Sequence, residues 1–81
     1  MSIEKTVPGF RMLGADHGRV ITFYYPNPDG EMERRRARPR QITWGRAQAK
    51  SGPQWLLEAE DVERHDVRLF RLKDMQEVAS V

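Results

Sequence analysis

Between Gln54 and Leu72 the chain reads QWLLEAEDVERHDVRLFRL, two apolar runs on either side of a charged connection. Trp55-Leu56-Leu57 forms one run, Val67 to Leu72 the other, and Glu60 to Asp66 the link. Two half-buried segments joined by a polar link are what an antiparallel hairpin requires. This span therefore reads as the last two strands of a small all-β domain, the fourth over Gln54 to Glu60 and the fifth over Asp66 to Leu72.

Upstream, Arg19 to Tyr25 (RVITFYY) is rich in β-branched and aromatic residues and stops at Pro26, the pattern of a strand. Ile21, Phe23 and Tyr25 share one face, and Val20, Thr22 and Tyr24 the other. The connection Pro26-Asn27-Pro28-Asp29-Gly30 follows, with Gly30 offering the positive φ a hairpin turn needs. Glu31 to Arg38 is the paired strand, and its alternation sends Arg34, Arg36 and Arg38 to one side and Glu33, Arg35 and Ala37 to the other. Pro39 cannot donate to a ladder, so this strand is expected to end or kink there. Gln41 to Trp44 reads as a third strand, and Ser51-Gly52-Pro53 as a turn. Lys73 to Val78 has the composition of a short helical turn, with Leu72, Met75 and Val78 at spacings of three. Met1 to His17 is expected to be an arm in which Phe10 to Leu13 is a short apolar piece, and residues 79–81 a tail. Five short strands in so few residues favour a small closed or nearly closed barrel, the geometry that removes sheet edges.

The 81 residues allow one domain with one core. There is no cysteine, which excludes a disulfide framework and a thiolate metal site and makes a reducing cytoplasm the simplest compartment. No run approaches the roughly 20 apolar residues of a membrane span, and the N-terminus lacks the apolar core of a signal peptide. A net charge of +2 conceals strong segregation. Arg34, Arg35, Arg36, Arg38, Arg40 and Arg46 fall in a stretch without an acid, whereas Glu58, Glu60, Asp61, Glu63 and Asp66 crowd together. Guanidinium forks suit phosphate and carboxylate, so an anionic partner is expected. The alternative is that basic and acidic strands pair across the sheet, or between copies or with a protein partner.

Support for catalysis is slight. Ser2, Ser51 and Ser80 have no base beside them, and His17 and His65 lack a second ligand at metal-binding spacing. A non-enzymatic module without cofactor or metal is expected.

The order Ile21-x-Phe23-x-Tyr25, Gly30, Arg35, Pro39, Trp55-Leu56-Leu57-x-Ala59 and Arg68-x-Phe70-Arg71-Leu72-x-x-Met75 resembles the WYL domain. The likeness covers about Gly18 to Val78. That family's usual course is a strand ending in Tyr, a turn with Gly, an Arg-rich strand reaching Pro, the namesake Trp-Tyr-Leu, and a closing Arg-x-Phe-Arg-Leu-Asp-Arg-Ile. Here Leu56 replaces the namesake Tyr, Lys73-Asp74-Met75 replaces Asp-Arg-Ile, and Trp44 to Pro53 is longer than the usual loop. The resemblance implies an Sm-like five-stranded β-barrel over residues 18–78. It also implies a bacterial regulatory module for transcription or phage defence, which senses nucleic acid or a nucleotide-like ligand. With no space for a helix-turn-helix, a free-standing module is expected. Arg71 and Tyr25 fall on family positions, Arg35 fits the pattern, and Arg68 lies beside them. Arg36 and Arg38 are the expected phosphate contacts of the arginine run, and Trp44 a stacking platform or the closure of one barrel end.

Overall fold

A computed structural model describes residues 19–81; the expected N-terminal arm, Met1 to His17, lies outside the described residues. Strands β1 (Ile21–Pro26), β2 (Met32–Gly45), β3 (Gln54–Asp61), β4 (Asp66–Arg71) and β5 (Gln76–Ser80) form one antiparallel sheet in the order β4-β3-β2-β1-β5. Among the described residues the regular structure is all-β apart from one 3-10 turn at Leu72–Asp74.

The β1–β2 hairpin forms where its turn residues demand it. Gly30 sits at φ 91°, and its N–H donates to the Asn27 carbonyl at 2.8 Å. Pro26 faces Met32, and the register runs on to Ile21 opposite Ala37. Past that point β2 does not stop. Pro39 lies opposite Ala59 and the register slips before Gln41, leaving Arg40 as an extra residue on the β2 side. A bulge of this kind absorbs the missing donor of Pro39 and bends the strand instead of ending it. The expected second and third strands are thus one, its first half paired with β1 and its second half with β3.

The remaining strand comes from the segment read as helical. Leu72 to Asp74 makes one 3-10 turn, closed by the Met75 N–H on the Leu72 carbonyl, and Gln76–Ser80 then pairs with β1. Six residues, among them the weak helix formers Asp74 and Val78, cannot repay helix nucleation, whereas an unpaired β1 edge offers ladder bonds at once. The spacing of three still describes burial, since Leu72 and Met75 are buried and Val78 packs on the core. Glu77, at φ 52°, takes up the register slip on β5.

No ladder joins β4 to β5, so the sheet is curled but not closed. Its curl is measured by Phe70 on β4, whose ring lies 5.1 Å from those of both Phe23 and Tyr25 on β1. Three strand spacings in a flat sheet would separate them by about 14 Å. The core is the concave face, where Ile21, Phe23, Ala37, Leu57, Ala59 and Phe70 are buried together. One end of it carries Trp55 and Trp44; the other ends in Tyr25, Arg35, Asp61 and Arg68.

Candidate anion-binding cleft

The charged end of the core opens into a cleft of about 470 Å³, where the free edge of β4 faces the end of β1 and the following turn. Tyr25, Arg35, Arg68 and Arg71 all line it. Arg68 and Arg71 are three apart, which on a regular strand places them on opposite faces. They meet in one cleft because β4 is an edge strand, so a side chain from either face reaches the open seam.

Tyr25 is a strut between two strands. It is the last inward residue of β1, packed edge-on against Phe70, and its hydroxyl accepts the Arg71 main-chain N–H at 2.9 Å. The Arg71 guanidinium carbon lies 5.3 Å from the centre of the same ring, and Arg71 Nε also donates to Asp74 Oδ2. The cation is thereby held over the cleft rim by an aromatic face and a carboxylate. A phenol hydroxyl that accepts one hydrogen bond can also donate one.

Arg35 is a buried cation, with only 6% of the residue exposed. A charge in such a place persists only with partners. Its Nη2 donates to Asn27 Oδ1 at 2.9 Å, and its Nη1 lies 3.4 Å from Glu33 Oε1 and 3.8 Å from Asp61 Oδ2. Asn27 in turn donates to Glu33, so the β1–β2 turn locks the arginine from one side. Arg68 is half-buried on β4, 3.8 Å from Asp61 Oδ2 and with its guanidinium carbon 6.0 Å from the Phe70 ring centre. Asp66 also lines the cleft, so the wall is not uniformly positive.

Three expected site residues lie elsewhere. Arg36 projects from the opposite, convex face of β2, because alternation sends it away from buried Arg35 and Ala37. Arg38 shares that face and is engaged by Glu60, Nη1 to Oε1 at 2.8 Å, while Arg40 reaches Glu58 at 3.6 Å. Trp44 is 57% exposed at the far end of the core, edge-on to Trp55 with ring centres 5.2 Å apart, beside Leu72 and Lys73. Asn27, Glu33 and Asp61 went unnoticed as supports. An Asp opening a short turn, two residues before the first free amide, is the signal that marks Asp61.

A family model for the WYL domain matches residues 14–80. The chain belongs to the WYL domain family. No curated protein matches it. At the position of the namesake tyrosine this WYL domain carries Leu56, which is 1% exposed and supplies no hydroxyl. Its long connection after β2 makes a wall instead: Ala47 and Gln48 line the cleft. That loop is tied by Arg46 Nη1 on the Ser51 carbonyl and by the Ser51 N–H on the Gln48 carbonyl. Among the described residues no helix is long and apolar enough to cross a membrane, and no cluster of His, Asp or Glu could hold a metal ion.

Proposed function

We propose that this WYL domain is a regulatory binding module that takes a phosphate-bearing, nucleotide-like ligand, free or at the end of a nucleic acid, in the cleft between β4 and Tyr25. The observation that carries the reading is the convergence of Arg35, Arg68 and Arg71 with Tyr25 on one opening. Guanidinium groups already anchored by their own partners lose little freedom on meeting a phosphate. The role is binding without bond-breaking, in a bacterial cytoplasm, with the module modulating a transcription regulator or a phage-defence system through a protein partner or a second copy. In this reading the curled sheet is an Sm-like barrel left open at one seam, and the seam is the site. The competing idea, that basic and acidic strands pair between copies, is weakened because Glu58 and Glu60 are already engaged by Arg40 and Arg38 of the same chain.

Calorimetric titration with adenosine monophosphate and with a short single-stranded oligonucleotide, at low and high salt, tests the proposal. Binding that weakens as salt rises is expected, since contacts to phosphate release counterions. Absence of binding to both probes at low salt, with a mass above monomer in light scattering, would favour the assembly module instead.

A further inference from the structure

Behind the cleft wall lies a carboxylate that almost never meets solvent. Asp61, the last residue of β3, is 3% exposed. Its Oδ1 accepts the main-chain N–H groups of Glu63 at 3.0 Å and Arg64 at 3.1 Å, which fixes the side chain in the turn to β4. Among the described residues Oδ2 has no hydrogen-bond partner. Yet Arg35 Nη1 and Arg68 Nη1 each stand 3.8 Å from it, and Arg64 Nε stands 4.0 Å away. Arg35 Nε is likewise buried without a partner. Charge-assisted bonds normally close to about 2.7–2.9 Å. Here several cations surround one oxygen at distances where the attraction is Coulombic and no bond is committed.

We infer that Asp61 is a built-in counter-ion that sets how strongly the cleft attracts anions. It draws on the charge of Arg35 and Arg68 from behind, so a ligand oxygen must compete with Oδ2 for the same two guanidinium groups. Asp61 does not line the cleft, so it acts through the arginines and is a positioning residue. The inference rests on the reading of the cleft as an anion site, and its test separates the two.

The informative variant is Asp61→Asn, which keeps the Oδ1 acceptor for the turn and removes the charge. Calorimetry with adenosine monophosphate at fixed ionic strength should show affinity at least about fivefold higher in Asp61→Asn than in the wild type, because an opposing charge near the cations is gone. A residue with only a structural role would lower affinity when changed, so a gain is diagnostic. Wild-type binding that is lost in Arg68→Ala but equal or weaker in Asp61→Asn overturns the counter-ion and leaves the cleft reading standing. No binding by either wild type or Asp61→Asn overturns both. Should Asp61→Asn fail to fold, the wild type supplies the measurement: the carboxyl carbon resonance of Asp61 must move when adenosine monophosphate is added, and a resonance that stays put at saturation overturns the inference.

Discussion

The hydroxyl of Tyr25 accepts the main-chain N–H of Arg71 at 2.9 Å, and so links β1 to β4 at a point where no strand ladder joins them. In sheet order these strands are separated by β3 and β2. The bond therefore reports the curl of the whole sheet, and it anchors Arg71 at the cleft rim at the same time.

Removing that hydroxyl alone isolates the effect. Tyr25→Phe keeps the ring against Phe70 and beneath Arg71 but strands a part-buried N–H, which costs about 1–3 kcal/mol. Urea denaturation should show the loss as a lower midpoint with unchanged slope, and amide exchange at Arg71 should accelerate. An unchanged midpoint would mean that the seam is held by packing alone.

Phe70 is that packing. Its ring touches both Phe23 and Tyr25 and is 2% exposed, so Phe70→Ala leaves a cavity at the centre of the curl. Such truncations cost about 3–5 kcal/mol, a large share of what a domain this small possesses. Thermal unfolding should move down by many degrees or vanish as a cooperative transition. A shift of a degree or two would show that β4 is not pinned to β1 through this side chain.

How far the sequence could be read depends on which signals are local. Ile21, Phe23 and Tyr25 alternate cleanly, and Asp29-Gly30 fixes the turn, so β1, the hairpin and the β3–β4 pair were legible. Pro39 misled because its missing N–H speaks of a break, whereas the partner strand and the extra Arg40 decide that the strand continues. The segment after Leu72 misled because helix-forming composition is a weak preference beside an open β1 edge. Tyr25, Arg35, Arg68 and Arg71, which the family resemblance singles out, line one cleft. Arg36, Arg38 and Trp44 look equally apt as residue types, but only the fold distinguishes the concave face from the convex one. In the sequence Asp61 is one acid among several, because burial cannot be read from charge.

Gly30 offers a test of backbone rather than contact. A Cβ added there would meet nothing within 4 Å, yet φ is 91°, a conformation that L side chains rarely adopt. Gly30→Ala should therefore destabilise by at least about 1 kcal/mol without any steric clash. Denaturant unfolding of the variant checks this. If stability is retained, the turn has found a second conformation, and Asn27 and the Arg35 guanidinium it holds should then shift as well.

The two ends of the arginine series separate cleft from surface. Arg71 lines the cleft above Tyr25, whereas Arg38 lies on the convex face in an exposed pair with Glu60. Arg71→Ala should lose at least about tenfold in affinity for adenosine monophosphate while the fold survives, in line with the loss of one charge-assisted contact. Arg38→Ala should leave that affinity unchanged and alter stability by no more than about 1 kcal/mol, as exposed ion pairs do. Oligonucleotide binding adds a further discrimination. If only the cleft is engaged, Arg71→Ala flattens the salt dependence and Arg38→Ala does not; equal flattening by both would mean that the strand runs across the convex arginines, and the cleft would lose its claim to be the site.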